Sequence, residues 1–173
     1  MDDLYSVGTV VRVRHVMPAS EDCVRLMCEG ERRALLLAVN DEGHFSSADF
    51  AELPSDLEGD ENEIIGYAER AKTLFFMLSK ERGRLAGELL RIIEGETDPD
   101  VVANMVAANG LRRLDQKQII LETRNVLERL KQLVVFMQAE LNLARIEQEI
   151  EEKTKAHIEQ QQRDYYLREQ LKV

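Results

Sequence analysis

An unbroken stretch without Pro or Gly, from Asn125 to Val173, constrains the fold more than any other part of the chain. Asn125 and Glu128 are spaced as a helix N-cap and its capping-box partner. Apolar residues then recur at alternating three- and four-residue steps, the spacing of one helix face: Leu127, Leu130, Val134, Met137, Leu141 and Ala144. A helix that continues to Leu171 would be about 70 Å long. A domain of this size cannot cover such a rod, so we expect part of it to project or to contact another chain.

The composition of this stretch changes near Ile150. Up to Ile150 the apolar stripe is dense, whereas from Glu151 to Asp164 only Ala156 and Ile158 are plainly apolar. An abrupt apolar cluster then follows, formed by Tyr165, Tyr166 and Leu167, with Leu171 one turn further on. These side chains span too wide an arc for one seam of a solvated helix. We therefore expect them to pack against another domain or a neighbouring chain.

The net charge of the chain limits the classes of molecule that it is expected to bind. The 173 residues carry a formal charge of −10, which argues against nonspecific binding of nucleic acid, because such binding needs a basic face. Ten acidic residues and no Lys or Arg lie between Asn40 and Arg70. A solvated acidic connection is the simpler interpretation of that run. A recognition site for basic polypeptide segments is the alternative.

The cysteines and the hydropathy of the sequence indicate the cellular compartment of the protein. Cys23 and Cys28 have four residues between them, and this odd step places them on opposite faces of a strand, where a disulfide is difficult. Two reduced thiols are typical of a cytosolic protein. Neither a signal-peptide pattern nor an apolar run of roughly 18–20 residues occurs. We predict a soluble cytoplasmic protein with no membrane contact.

The first third of the chain alternates as β-strands do. Gly30 interrupts the alternation, and the continuous apolar run from Ala34 to Val39 indicates a strand buried on both faces. Residues 18–22 form a turn pattern. About four antiparallel strands are predicted: Val7–Met17, Val24–Cys28, Ala34–Val39 and Phe45–Leu53.

Beyond Asp60 the apolar period becomes helical. One stripe on a first helix comprises Ile64, Ala68, Ala71, Phe75 and Leu78. Phe76 and Met77 lie off that stripe. They could form a small exposed apolar patch for unfolded polypeptide, because Met and Phe adapt to varied partners. The alternative is a helix that is buried on two sides.

Three short helices are expected before the long one. The first spans Arg84 to Ile93, with Leu85, Leu89 and Ile92 facing inward. In the next, Asp98 and Pro99 have the pattern of an N-cap followed by proline, the inward residues are Val102, Met105 and Val106, and Asn109-Gly110 is the stop. The last spans Asp115 to Glu122.

The fold class predicted from these elements is α+β, with an incomplete small antiparallel β subdomain followed by a helical bundle and one very long C-terminal helix. The predicted divisions are a β subdomain at 1–53, an acidic linker at 54–61, a helical bundle at 62–150 and a projecting helix half at 151–173.

Motifs for chemistry are not found in the sequence. It contains neither the G-x-x-x-x-G-K-[ST] phosphate cradle nor the G-x-S-x-G nucleophile elbow. His15, His44 and His157 are scattered over a strand, a turn and an exposed helix, so none is expected to be a ligand or a base. We expect no catalytic, cofactor-binding or metal-binding residues in this chain.

Three blocks of the sequence resemble one family. Residues 162–172, with their YYLREQLK core, resemble the segment that joins the N-terminal domain of bacterial ATP-dependent Lon proteases to their ATPase core. Residues 114–130 resemble the short helix and the start of the long helix in that family. Residues 3–10 are similar to its D-L-[YF]-x-[VI]-G-T-[VI] strand. The resemblance covers essentially the whole chain, in the right order.

The resemblance implies a function through binding. Lon N-terminal domains capture unfolded or tagged proteins and help to order the hexamer. An ATPase module, which uses ATP and magnesium, and a serine protease domain with a Ser–Lys dyad complete such proteins. Neither module is found in this sequence, so the chain itself is not expected to be an enzyme. Tyr165, Tyr166, Leu167 and Leu171 would then contact the ATPase ring or a neighbouring subunit.

The resemblance also implies a partial PUA-like barrel. The first strands of that barrel precede the D-L-[YF] block in the family, so we expect a fragment that is truncated at its start. Its sheet edge would lack its native partner, or would borrow one from a neighbouring chain, and such an edge is expected to be sticky.

A structural coiled-coil scaffold without client binding is the alternative function. The sequence disfavours it, because residues 151–164 lack the sustained a/d heptads that a coiled coil needs.

Overall fold

A computed structural model describes residues 4–20, 23–83 and 87–171. Within these ranges three strands precede five helices, which confirms the predicted α+β class. The elements are β1 (Val7–Ser20), β2 (Cys23–Asp41), β3 (Ser46–Glu52), α1 (Glu61–Arg82), α2 (Gly87–Gly95), α3 (Pro99–Gly110), α4 (Leu114–Glu122) and α5 (Val126–Leu171).

The strands form one antiparallel sheet in the order β1-β2-β3. The prediction of four strands is wrong, because the second and third predicted strands are parts of the single strand β2. Gly30 does not end that strand. It pairs with Val11, while the next pair joins Arg32 to Val10, so Glu31 is an extra residue on β2. A bulge therefore absorbs the irregularity that the sequence indicated at Gly30. Glu21 and Asp22 of the predicted turn lie outside the described residues.

Within residues 4–20, 23–83 and 87–171, the sheet contacts the helices mainly at its inner end, around Val7 and Ala34. Val7 and Ala34 are its buried apolar residues in the described part of the chain. The prediction that residues 34–39 are buried on both faces is wrong, since Leu37 is 59% exposed. The physical reason is that the helical layer reaches the sheet mainly through α4, which contacts β1, and leaves the outer part of the sheet uncovered.

Helix α1 supplies one side of the core. Asp60 caps it by accepting hydrogen bonds from the backbone N–H groups of Asn62 (2.8 Å) and Glu63 (3.1 Å). Gly83, with a φ of 60°, ends it in the left-handed conformation that favours glycine. The predicted stripe is confirmed, because all its members are buried: Ile64, Ala68, Ala71, Phe75 and Leu78.

Helix α2 faces the core with a different residue than predicted. Ile93 is fully buried, whereas Ile92, which was expected to face inward, is 51% exposed. Leu89 packs against the core as expected, and Ile93 lies four residues after it, so the two share a face. Arg84 and Leu85 of the predicted helix lie outside the described residues.

A buried lysine holds the end of α2. Lys72 of α1 donates from Nζ to the carbonyl oxygens of Glu96 (2.6 Å) and Glu94 (3.4 Å). The same Nζ lies 2.9 Å from Glu69. An ammonium group satisfies the free carbonyls and the negative end of the helix dipole at this position.

Helix α3 begins as predicted. Asp98 accepts a hydrogen bond from the Asp100 N–H (2.9 Å), and Pro99 is the first helical residue. Gly110 is the last residue of the helix, but its role is close packing. A Cβ atom there would lie 2.6 Å from Met137 Sδ and 3.3 Å from Phe75 Cδ2. The core therefore leaves room for little more than a hydrogen at this position.

Helix α5 is continuous over 46 residues. Asn125 caps its start by accepting from the Glu128 N–H (3.0 Å), as predicted. Buried side chains end at Ala144, and every residue from Arg145 to Leu171 is exposed. Burial on α5 stops at Ala144 because α1, which packs parallel to α5, ends at Arg82. We call residues 145–171 the rod.

None of the helices in the described part of the chain is long and apolar enough to cross a membrane.

The joint between the sheet and the bundle is polar. The Asp100 carboxylate accepts hydrogen bonds from Arg129 of α5, from Ser55, and from Arg33 of β2 at 3.4 Å. Arg129 is fully buried and also donates to the carbonyl oxygen of Thr123 at 2.8 Å. Burial lowers the pKa of the Arg129 guanidinium, the positive charge of Arg33 lowers it further, and Asp100 opposes both effects.

Replacing Asp100 by Asn tests this joint. The change removes the carboxylate charge and keeps the shape of the side chain, so it leaves two largely buried guanidinium groups without a counter-charge. We expect the free energy of unfolding to fall by about 3 kcal/mol, measured by urea denaturation. Glu149→Gln, which removes an exposed partner of Lys153 on the rod, is the control and should leave the midpoint unchanged. An Asp100→Asn midpoint equal to that of the parent would contradict this role.

Candidate functional site

An apolar cleft lies where the inner end of the sheet meets α4. Its volume is about 410 Å³. Tyr5 and Phe50 are both about half exposed at this cleft, which leaves their rings open to a ligand. The lining residues are Leu4, Tyr5, Val7, Gly8, Thr9, Val10, Ala34, Leu36, Ala48, Phe50, Gln118 and Leu121.

Strand register builds the floor of the cleft. Leu36 pairs with Phe50, and Val39 pairs with Ala48 two positions along β3, so these side chains share one face of the sheet. The α4 side is fixed by Gln118, whose Nε2 donates to a backbone carbonyl of β1, that of Val7, at 2.9 Å. The cleft is thus held open between the sheet and a helix that is anchored to it.

A second apolar surface covers one face of the β1–β2 hairpin. Val13 pairs with Cys28 and Val16 with Leu26, and Arg14 is left as an extra residue between them. This bulge keeps Val13 and Val16 on the same face, although they are three residues apart. The exposed apolar residues of this face are Val11, Val13, Val16, Val24 and Leu26. Cys23 and Cys28 are both free and exposed.

The residues proposed from the sequence for polypeptide contact, Phe76 and Met77, lie on different sides of α1. Phe76 is half-buried, and its ring centroid lies 6.4 Å from that of Phe75. Met77 is 37% exposed and lines a groove with Arg145 of α5. Adjacent helix residues differ by about 100° in direction. A polypeptide contact at either residue stays a prediction.

The apolar cluster at the end of the rod is open to solvent. Tyr165, Tyr166, Leu167 and Leu171 are each more than half exposed. The rings of Tyr165 and Tyr166 meet edge to face, with centroids 6.1 Å apart. The contact with another domain or subunit that the sequence predicts for them stays a prediction. Lys172 of the family-like segment lies outside the described residues.

A charged clamp holds the root of the rod. Arg112 donates to both carboxylate oxygens of Glu147, at 2.9 and 3.1 Å. Close by, Arg82 donates to the buried carboxylate of Glu140. The hydrogen bonds from Arg112 lower the pKa of Glu147. A lowered carboxyl pKa means that this clamp stabilises the fold at neutral pH and is lost as the pH falls through the lowered value.

The structure does not bring the histidines together. His15 lies on β1, His44 in the turn before β3, and His157 on the rod. In residues 4–20, 23–83 and 87–171, no group of three or more His, Cys, Asp or Glu side chains is placed to hold a metal ion.

Sequence reasoning missed the cleft. Leu4, Leu36 and Phe50 are far apart along the chain, and only the strand register brings the last two together. The one available signal was the apolar run from Ala34 to Val39, which has more apolar residues than a sheet with one covered face needs. The extra apolar residues line an open cleft and are not buried on both faces of the sheet.

The fold and these surfaces define an α+β domain with exposed apolar surface at the cleft, on the hairpin and at the end of the rod. Among solved structures, the chain is similar to the N-terminal domain of the Mycobacterium avium complex Lon protease, with a TM-score of 0.64 and 26% sequence identity. That match covers 80% of this chain and 73% of the other. The small sheet, the bundle and the long helix are therefore the fold of a Lon N-terminal domain.

Sequence comparison agrees. Residues 1–139 match the model of the ATP-dependent protease La (LON) substrate-binding domain. The Lon proteases of Escherichia coli K12 and Erwinia amylovora are each 32% identical over the whole chain, and that of Azospirillum brasilense is 31% identical over 99% of it. The chain spans only 21–22% of the length of these relatives. The chain belongs to the Lon family, as its substrate-binding domain, and this confirms the resemblance found in the sequence.

Limited digestion with trypsin tests whether the rod lacks packing partners. We expect the first cuts at Lys153, Lys155 and Arg163, because a helix without packing partners opens locally at little cost. The trimmed product should keep its urea midpoint, since no buried side chain is lost. A first cut within α1, or a trimmed product with a lower midpoint, would show that the rod has stabilising contacts.

Proposed function

We propose that this domain recognises protein substrates for a Lon-type ATP-dependent protease. The observation that carries the proposal is the match of residues 1–139 to the Lon substrate-binding domain. The chemistry of the surface supports it. Apolar side chains that a folded protein would normally bury are exposed at the cleft and on the hairpin.

The substrates that suit such surfaces are unfolded or tagged proteins. An unfolded chain exposes apolar side chains that native proteins bury, and it can adapt to several shallow sites at once. Phe76 and Met77 belong to the same proposal as further contact points, since Met and Phe adapt to varied neighbours. Each contact would be weak, but repetition on several subunits would raise the overall affinity through avidity.

The rod suits a connection to the rest of the protease. It extends about 40 Å past the last buried residue of α5 and ends in the exposed cluster of Tyr165, Tyr166, Leu167 and Leu171. We infer that this cluster contacts the ATPase module or a neighbouring Lon subunit, and that the domain helps to organise a hexamer. The division of the chain into a β subdomain, a linker, a bundle and a projecting helix half, with boundaries after residues 53, 61 and 150, belongs to the same proposal.

The chemistry would take place elsewhere in such a protein. The parent would be a cytoplasmic ATP-dependent serine endopeptidase with a Ser–Lys dyad, and its ATPase module would hold ATP and magnesium. We assign no residue of this chain to either reaction. Its part is to bind the substrate and to hold it in place for that module.

A structural oligomerisation scaffold without client binding is the second candidate. The exposed isoleucines of the rod favour it, because Ile146, Ile150 and Ile158 lie within one broad arc of the helix. The polar interval that begins at Glu151 weighs against it, since a coiled coil needs apolar residues at both core positions of each heptad.

Titration with a chemically unfolded protein separates the candidates. We expect saturable binding that weakens about tenfold in Met77→Ser, because one large apolar side chain contributes roughly 1.5 kcal/mol when it is buried. Phe76→Ser should also weaken binding, with its folding checked by circular dichroism. The control is Val135→Ser, at an exposed apolar position on α5.

No association with the unfolded protein, combined with self-assembly that rises with concentration in light scattering, would support the scaffold instead. Saturable binding that neither Phe76→Ser nor Met77→Ser weakens would remove these two residues from the site.

A further inference from the structure

We infer that residues 53–59, which connect β3 to the cap of α1, form a strap that locks the sheet to the start of α5, so that the sheet and the rod move as one rigid body. The inference concerns the chain by itself and does not rest on the proposed function. Both partners of every contact that it uses lie within the described residues. Four observations carry it.

The first is the backbone pairing of the strap with the residues that precede α5. The Asp56 N–H donates to the carbonyl oxygen of Arg124 at 3.0 Å, and the Val126 N–H donates to the carbonyl oxygen of Asp56 at 2.8 Å. Asp56 thus forms a short parallel bridge with Asn125. Bonds on both sides of one residue fix the position and the direction of the strap at the base of α5.

The second is the double use of the Asn125 side chain. Its Oδ1 accepts from the Glu128 N–H and so caps α5, whereas its Nδ2 donates to the carbonyl oxygen of Glu58 at 2.8 Å. Nearer the other end of the strap, Arg124 Nε donates to the carbonyl oxygen of Pro54 at 3.3 Å. The residues that begin α5 therefore hold the strap over most of its length.

The third is the close packing of Gly59 on the bundle. Gly59 has a φ of 147°, a backbone conformation that favours glycine. A Cβ atom there would lie 3.0 Å from Leu127 Cδ2 and 3.8 Å from Ile64 Cδ1. Leu127 and Ile64 belong to the buried core. The strap is therefore packed directly against the bundle where α1 and α5 begin.

The fourth is the attachment of the strap to the sheet. The Leu53 N–H donates to the carbonyl oxygen of Arg33 in β2 at 3.0 Å. Ser55 accepts from Arg33 Nη1 at 3.3 Å and donates to the Asp100 carboxylate. The strap is thus bonded to β2 on one side and to the helices on the other.

The strap matters because the rest of the contact between the sheet and the bundle is small. Val7 and Ala34 are the buried apolar residues of the sheet among those that the structure describes. Relative motion is the usual expectation for two units with so little apolar contact. The joint at Asp100 and the hydrogen bond from Gln118 to the Val7 carbonyl hold the sheet at two points. Two points leave an axis about which the sheet could turn, and the strap removes that freedom.

A rigid connection has a mechanical consequence. Helix α5 has 46 residues and is about 70 Å long, and the strap is bonded at its first turn. A tilt of the rod therefore turns the sheet through the same angle. Without the strap, the sheet could keep its own direction while the rod moves.

Spin labels on the sheet and on the rod test the inference in the 173-residue chain. The labels are placed on cysteines introduced at two exposed positions, Ser46 of β3 and Gln148 of the rod, with Cys23 and Cys28 replaced by Ser. Double electron–electron resonance should give one narrow distance distribution. A broad distribution in this parent chain would overturn the inference, because the sheet would then take many directions relative to α5.

Two variants release the strap. Asn125→Asp keeps the acceptor that caps α5, but it replaces the donor to Glu58 by a carboxylate that repels this carbonyl oxygen and Asp56. Gly59→Ala places a methyl group against Leu127 at a φ that side chains rarely adopt. In each variant we expect loss of the single narrow peak. The Asp56 amide hydrogen should also exchange about tenfold faster, because its hydrogen bond opens more often.

Matched controls make the same chemical changes away from the strap. Asn142→Asp, on α5, keeps the oxygen that accepts from Gln138 at 3.1 Å. Gly66→Ala, on α1, places its methyl group in open space. Neither control should alter the distance distribution or the exchange at Asp56. Urea denaturation checks that every variant is folded, and if one strap variant does not fold, the other decides.

The combined readouts leave two further results that would overturn the inference. A narrow peak in the strap variants with unchanged exchange at Asp56 would show that these bonds do not hold the strap. A narrow peak with faster exchange would show that the strap opens while the sheet stays fixed by its other contacts.

Discussion

The parallel packing of α1 on the first half of α5 is the contact on which the rest of the structure depends. Leu74 and Phe75 of α1, and Leu130, Leu133 and Met137 of α5, are fully buried in one core. Burial of each such side chain stabilises the fold by about 1.5–3 kcal/mol. Because α1 ends at Arg82 while α5 continues to Leu171, the same contact decides where the core ends and where the rod begins.

A different kind of interaction fixes the sheet on this bundle. Arg33, Asp100 and Arg129 join β2, α3 and α5 through charge rather than through apolar area. Buried charges of this kind need well-oriented partners, so they tolerate few alternative arrangements. Together with the hydrogen bond from Gln118 of α4 to the Val7 carbonyl, this joint holds the sheet against the bundle. The cleft depends on that arrangement, because one of its walls belongs to the sheet and the other to α4.

Local signals predicted the helices better than the sheet and the site. The caps at Asp98 and Asn125, and the apolar stripes that follow them, are determined by residues a few positions apart, and they are confirmed. The bulge at Gly30 was not predictable, because it depends on which residue of another strand lies opposite. The pair of Arg33 and Asp100 joins residues 67 positions apart, and no local pattern marks it. Arg129 gave no signal either, because at about 100° per residue it lies well off the predicted apolar stripe of α5.

The continuity of the rod beyond the bundle is tested most directly by a distance measurement with spin labels. Labels on cysteines introduced at Gln148 and Gln170, with Cys23 and Cys28 replaced by Ser, lie 22 residues apart on one helix. Double electron–electron resonance should give a single narrow distribution near about 33 Å, the rise of an unbroken helix of that length. A short distance, or a broad distribution without that peak, would show that the helix turns back or melts after Glu151, and would contradict this account.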